Sequence, residues 1–243
     1  MKGKRILVTG ASSGIGFQIA KDLLQMGATV GAHYRENRSS VEKLLDYAGP
    51  EQCKIFQAEF NHTDQVMRLW SQYIEWSQGI DVLINNAGEA AKPEPVNKLS
   101  EDAWDQTFHV NVKAPWLLSR AALSVMTEQG SGRIINMSSV GVKFGGGIET
   151  VHYSASKSAL EAITKSFAKA GAPHNVLVNA VRAGVTETSM HEKIGRHDMS
   201  SRTNLIPLKR MAQPSEISQV VLFLAGEESS YVTGTILTAA GGE

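Results

Sequence analysis

The chain is 243 residues long, with 24 basic and 24 acidic side chains and 42% hydrophobic residues, so it can build a large core and wholesale disorder is excluded. A formal net charge of zero leaves no global field for a polyanion or an anionic membrane, which sets nucleic acid and membrane aside as partners. One cysteine, Cys53, excludes an internal disulfide framework and a cysteine-based zinc site.

Short apolar runs rich in β-branched residues alternate with longer segments of helical period. Residues 6–9 read as a first strand. Ile15, Ile19 and Leu23 then recur four apart with Leu24 beside them, which predicts a helix burying one face, and Gly27 suits its termination. A second strand is expected at 28–34, a helix from Ser39 or Ser40 to Ala48, and a third strand at 54–60. Thr63 is expected to cap the next helix, with Asp64 in its first turn and Val66, Leu69, Tyr73 and Ile74 facing inward. A fourth strand falls at 81–85. Ser100 opens a helix with Glu101 and Asp102 near its positive end, and Pro115 should break or kink the chain there, giving a second helix at about 115–127. A fifth strand at 133–137, a helix at about 152–170 and a sixth strand at 176–181 come next. Pro214 fits the first turn of a helix running to Ala225, and residues 235–239 form a final strand.

Strands apolar enough to be covered on both faces, alternating with helices, imply an α/β fold with a parallel sheet between helical layers. There is no internal repeat, low-complexity tract or linker, so residues 1–243 are expected to form one domain. Nothing approaches the roughly 18 to 20 apolar residues of a membrane span. The apolar run at 6–8, behind a basic start, falls well short of a signal h-region of roughly 7 to 15 residues. A cytoplasmic location is expected. The one long stretch without clear period, 182–213, is read as a substrate lid, the alternative being a surface insertion.

Chemistry concentrates at four places. Thr9, Gly10, Ala11, Ser12, Ser13, Gly14, Ile15 and Gly16 lie between the first strand and the first helix, where small residues let backbone approach a diphosphate and a helix N-terminus offers amides. The alternative is a tight turn. Tyr153 and Lys157, four apart near the start of a helix, project onto one face. Lowering a tyrosine by ~3 pKa units requires ~4 kcal/mol, about what an ammonium ~4 Å away supplies at an effective dielectric near 20. Ser138 and Ser139 end the fifth strand, where a hydroxyl could polarise a carbonyl or simply serve a turn. Asn85, Asn86, Ala87 and Gly88 end the fourth strand, either holding the sheet edge together or meeting a ligand.

In order and spacing these motifs resemble the short-chain dehydrogenase/reductases over essentially the whole chain: T-G-x-x-x-G-I-G from Thr9, N-N-A-G from Asn85, Asn111, the serine after strand five, and Y-x-x-x-K from Tyr153. The resemblance implies a Rossmann-type, doubly wound, seven-stranded, mainly parallel sheet. It implies that Tyr153 exchanges a proton with the substrate oxygen, Lys157 lowers the pKa of Tyr153 and holds the nicotinamide ribose, and Ser139 hydrogen-bonds the reacting oxygen. Asn111 would position the water of a proton relay through Lys157. The cofactor carries the hydride. Gly10, Ser12, Ser13, Gly14, Ile15 and Gly16, with Asn86, Ala87 and Gly88, would bind it.

NAD-specific members usually place an acidic residue at the end of strand two; here Tyr34 stands at about that position and Arg35 comes next. Arg35, helped by Arg38, is suited to a 2′-phosphate, so NADP(H) is preferred and NAD(H) stays possible, with Glu36 opposing. Glu59 and Phe60 match the adenine-contacting position, and Thr186 and Thr188 match further cofactor contacts. Two departures stand out: Ala183 replaces the proline after strand six, and Ala240 replaces an aspartate near the subunit interface.

The seven histidines show no metal-ligand spacing, so no metal site is expected. His152 is read as lining the substrate pocket or lying on the helix surface, and His191 and His197 as solvent-facing lid residues. Cys53, Trp70 and Trp76 are read as packing residues, and the loop through Lys143, Phe144 and Gly145 to Gly147 as a substrate contact. The expected activity is interconversion of a carbonyl and a secondary alcohol. One substrate reading is a 3-oxoacyl thioester of acyl carrier protein, although the helix ends at 126–130 and 170–174 lack the arginines that would hold an acidic carrier. Alternatives are a small sugar, polyol, ketone or steroid-like substrate, or a non-catalytic dinucleotide sensor. Family resemblance implies a homotetramer, with the helices at 115–127 and 152–170 as interface candidates.

Overall fold

The computed structural model describes residues 1–49, 51–89, 93–189, 195 and 198–243. Its strands are β1 (Arg5–Val8), β2 (Thr29–Tyr34), β3 (Cys53–Gln57), β4 (Val82–Asn85), β5 (Gly132–Ser139), β6 (Val176–Ala183) and β7 (Ile236–Ala239). They lie in the order β3-β2-β1-β4-β5-β6-β7, and every pairing between them is parallel. The helices are α1 (Gly14–Gln25), α2 (Arg38–Glu42), α3 (Thr63–Ser77), α4 (Glu101–Phe108), α5 (Ala114–Gln129), α6 (Val151–Gly171), α7 (Ser200–Leu205) and α8 (Pro214–Ala225). After β3 the chain crosses to the other side of β1 to form β4. That reversal opens a crevice at the carboxyl ends of β1 and β4, where open α/β sheets bind their ligands.

Successive side chains of β1 enter opposite cores, as strand geometry requires. Ile6 and Val8 pack with Ile19 and Leu23 of α1 and with Val221 and Leu224 of α8. Leu7 packs on the other face with Val66, Leu69 and Tyr73 of α3 and Leu118 and Met126 of α5. Each such buried Leu or Ile contributes roughly 1.5–3 kcal/mol. The seat of α3 depends on Gly31 in β2: a Cβ there would lie 2.6 Å from Cδ2 of Tyr73. Cys53, Trp70 and Trp76 pack into or against this core, as expected of packing residues.

Element boundaries differ from expectation where local chemistry decides them. Asn37, not Ser39 or Ser40, caps α2, its side chain accepting from the Ser40 amide at 3.2 Å, and a 3₁₀ turn (Lys43–Tyr47) continues it. Thr63 is the first residue of α3; His62 occupies the cap position without a side-chain bond. β3 stops at Gln57, so Glu59 and Phe60 lie beyond the strand in a turn closed by His62 N–H to Glu59 O at 3.1 Å. Pro115 does not separate two helices. A π-helical turn (His109–Lys113) joins α4 to α5, because Pro115 has no N–H to give the Asn111 carbonyl four residues earlier.

The stretch 182–213 has more order than its sequence suggests. β6 extends to Ala183, α7 forms where no helix was expected, and Thr186 and Ala212 form a parallel bridge that brings the two ends together. His191 and His197 lie outside the described residues. Among the described residues, no helix is long and apolar enough to cross a membrane. Nor does any group of three or more His, Cys, Asp or Glu among them suit a metal.

Candidate active site

The crevice is built around one hydroxyl. Thr9, immediately after β1, donates its side-chain O–H to Ile84 O at 3.3 Å and accepts from the amides of Asn86 and Ala87, each at 2.9 Å. Asn86 returns the contact, its Nδ2 donating to Thr9 O at 2.9 Å and Gly10 O at 3.1 Å. The glycine-rich turn and the segment after β4 are thereby a single unit. Side chains larger than hydrogen are excluded from it: a Cβ on Gly16 would lie 2.2 Å from Gly10 O, and one on Gly10 would lie 2.9 Å from the Ala87 Cα. Gly10 and Gly14 also have φ of 66° and 54°, in the left-handed region that glycine favours.

The turn delivers the N-terminus of α1 to the crevice. Ser13 caps it without a side-chain hydrogen bond, and no acidic residue stands in the first turn. The amides and positive end of α1 are therefore left for an anionic group, which is what a dinucleotide diphosphate needs. Ser12, Ser13, Gly14 and Ile15 lie along this edge, and Thr188 covers it, its Cγ2 2.9 Å from where a Gly14 Cβ would be. Thr186 is buried and donates to Gly184 O at 3.0 Å.

Sequence reasoning passed over a residue that fixes the turn from behind. His33 of β2 is buried, accepts the Gly10 N–H on Nδ1 at 3.1 Å and meets Ala58 O through Nε2 at 3.0 Å. The network therefore assigns the proton to Nε2. Burial pushes its pKa down to about 4, and its ring stacks on Phe60 at 4.2 Å. Phe60 is thus a core residue, and any adenine contact falls to its main chain. Tyr34 is likewise packed in the core, leaving Arg35 as the rim residue after β2. Arg35 meets three carboxylates: Glu36 at 3.1 Å, Glu59 at 3.7 Å and Glu89 at 3.6 Å. Arg38 does not join it, being paired with Glu42 at 2.8 Å along α2.

On the other side of the crevice, Ser139 ends β5 and Tyr153 and Lys157 stand one turn apart near the start of α6. The Ser139 hydroxyl accepts the Gly141 amide at 3.2 Å. Burial raises the pKa of Tyr153, and the Ser139 hydroxyl beside it opposes the rise. Lys157 is buried, its pKa lowered to about 8, and its Nζ lies 5.8 Å from the centre of the tyrosine ring. In the chain alone the groups that shift Tyr153 are its burial and Ser139, and Lys157 is not among them. Lys157 Nζ and Asn111 Oδ1 converge on Gly88, 3.1 and 3.4 Å from where its Cβ would stand.

Asn111 occupies the π-helical turn. Its side chain accepts from the Glu89 amide at 2.8 Å and donates to Glu89 O at 2.9 Å and Ser156 Oγ at 3.0 Å. One Oδ1 lone pair remains for a further donor. Asn85 and Asn86 hold the sheet edge together, Asn85 donating to Asn136 Oδ1 at 2.8 Å and Ser119 Oγ at 3.0 Å. His152 is not on the helix surface: it is buried, with both ring nitrogens unpartnered. The loop after Ser139 leaves Phe144 and, beyond Gly147, Ile148 exposed.

A protein-family model described as enoyl-(acyl carrier protein) reductase matches residues 10–243. The chain is 36% identical to a 3-oxoacyl-(acyl-carrier-protein) reductase of Thermotoga maritima over 244 residues, covering all of this chain and 98% of that protein. It is 34% identical to a 3alpha-hydroxysteroid dehydrogenase of Mediterraneibacter gnavus, covering 99% and 97% of the two chains. A solved structure of a short chain dehydrogenase/reductase family protein superimposes with a TM-score of 0.89 at 32% identity, covering 99% of this chain and 97% of that one.

Proposed function

This chain belongs to the short-chain dehydrogenase/reductase family, and on that premise we propose that it reduces the ketone of a 3-oxoacyl thioester with NADPH, using Tyr153 as proton donor. It is an oxidoreductase acting between carbonyl and alcohol with a nicotinamide cofactor. The observation that carries the proposal is that Ser139 at the end of β5 stands beside Tyr153, one helical turn from buried Lys157, whose Nζ ties α6 to β5. The bound nicotinamide supplies the hydride.

Tyr153, protonated at neutral pH as an ordinary phenol is, is the acid that hands its proton to the forming alkoxide. Ser139 donates to the same oxygen, a stabilisation concentrated where charge develops. Lys157 holds the nicotinamide ribose and, with a water on the remaining Asn111 lone pair, returns a proton to Tyr153. The uncapped N-terminus of α1 holds the diphosphate against the main chain of Gly10, Ser12, Ser13, Gly14, Ile15 and Gly16. Asn86, Ala87, Gly88 and Thr186 and Thr188 enclose the cofactor, Glu59 and the main chains of Phe60 and Tyr34 border its adenosine end, and Arg35 receives the 2′-phosphate. Residues 182–213 act as substrate lid over a single domain.

The thioester reading draws on the 3-oxoacyl relatives and on exposed Phe144 and Ile148 beyond Ser139, which suit an acyl chain. A second reading, a small ketone or steroid-like substrate, is favoured by the absence of arginine at 126–130 and 170–174. Nearby Arg133 does not compensate, being buried and 3.6 Å from Glu227. NADPH oxidation with acetoacetyl thioesters beside a panel of ketones and steroids separates the two. Tyr153→Phe should abolish turnover while cofactor still binds; retained turnover refutes the mechanism. Tight NADPH binding with no turnover of any substrate would instead make the protein a dinucleotide sensor. A homotetramer is proposed from the apolar groove of Phe108, Val112, Trp116 and Ile163 on α4, the π-helical turn, α5 and α6, and sedimentation equilibrium tests it.

A further inference from the structure

Arg35 is the residue proposed to receive the cofactor's 2′-phosphate, yet its guanidinium is already shared among three carboxylates. They are not equivalent. Glu36 is 77% exposed and its charge is well solvated. Glu59 and Glu89 are 29% and 22% exposed and approach from opposite sides of the crevice, Glu59 from the turn after β3 and Glu89 from the segment after β4.

Glu89 is also the most firmly held. Its main-chain N–H and C=O are both clamped by the Asn111 side chain, at 2.8 and 2.9 Å. Both of its carboxylate oxygens accept the Gln106 amide of α4, at 3.0 and 3.1 Å. Its charge is therefore fixed one residue past Gly88, while Arg35, 43% exposed, is the partner free to move.

We propose that Glu89 is a specificity-determining residue that weakens the preference for NADP(H) over NAD(H), by competing with the 2′-phosphate for Arg35. A 2′-phosphate must draw the guanidinium away from Glu89 before it can pair with it. A 2′-hydroxyl brings no charge and can donate a hydrogen bond to a carboxylate, so it meets no such opposition. Glu89 therefore acts on one cofactor and spares the other. Arg35 would otherwise make the pocket strongly selective for phosphate, since a guanidinium matches its oxygens bidentately.

The inference rests on the assignment of Arg35 to the 2′ position, and a double-mutant cycle tests the two separately. Dissociation constants of NADPH and NADH are measured by calorimetry on the cofactor-free protein, without substrate, for wild type, Glu89→Gln, Arg35→Leu and the double variant. Glutamine keeps a hydrogen-bonding group for Gln106 and leaves the main-chain clamp intact. Glu89→Gln is expected to tighten NADPH about two- to fivefold, the range of a part-exposed ion pair, and to leave NADH unchanged. That gain should disappear in the Arg35→Leu background. Equal changes for both cofactors, or none, would overturn the role of Glu89. A gain that persists without Arg35 would overturn the competition. If Arg35→Leu alone leaves NADPH binding intact, the assignment of Arg35 fails, whatever Glu89 does. Should Glu89→Gln not fold, Glu89→Ser removes the same charge and carries the same expectation.

Discussion

Lys157 donates its Nζ proton to the main-chain carbonyl of Met137 at 2.9 Å, tying α6 to β5 two residues before Ser139. The bond spans the two elements that bring the serine and tyrosine hydroxyls together, so Lys157 has a positioning part as well as a chemical one. Its neighbour one turn on acts similarly: Glu161 accepts Ser138 Oγ and Arg182 Nε, both at 2.7 Å, joining α6, β5 and β6.

Replacing Lys157 with Met removes the buried ammonium and this anchor together. Turnover should fall by about 10²–10⁴, the range for loss of acid–base function, as measured by NADPH oxidation at saturating substrate. Lys157→Arg, too large for the pocket beside Gly88, should not rescue it.

Ser139→Ala should lower kcat by about 10²–10³ while changing KM little, because the lost hydrogen bond strengthens only as charge forms on the oxygen. Steady-state kinetics checks the split. An equal fall in affinity and no change in kcat would make Ser139 a binding residue.

His33 makes folding stability pH-dependent. Its folded pKa is about 4 against an ordinary 6.5, so between those values the unfolded chain binds the extra proton. Stability should therefore fall as pH drops from 6.5 towards 4, by at most about 3 kcal/mol, and be unaffected by this group above 6.5. Urea denaturation across that window measures the slope, and His33→Gln should flatten it.

Gly31→Ala should destabilise the fold by about 1–3 kcal/mol, since the new methyl drives into the Tyr73 ring rather than into a gap. The readout is the denaturant midpoint with unchanged m-value.

The order of strands and helices was legible because each repeats a short rule. Ile15, Ile19 and Leu23 read as one buried face, and Thr9 to Gly16 as a turn before a helix. What escaped was pairing between distant positions. That Pro115 deprives Asn111 of a donor yields a π turn instead of a break, a choice made by packing. Arg35 invites a phosphate by its chemistry alone, but its ties to Glu59 and Glu89 join segments 24 and 54 residues away. Phe60 and Tyr34 occur where cofactor contacts are expected, yet strand alternation turns the Tyr34 ring into the core and the stack on His33 holds the Phe60 ring there. No local pattern carries such information.

The bridge between Thr186 and Ala212 pins together the two ends of the intervening segment just beyond β6. Closing a loop costs only about 0.6 kcal/mol more for each doubling of its length. Chain length can thus change between Thr188, which stays against Gly14, and Ile206, which stays in the core, with the catalytic strand ends undisturbed. Descendants of such a chain can change what they bind without renegotiating how they fold.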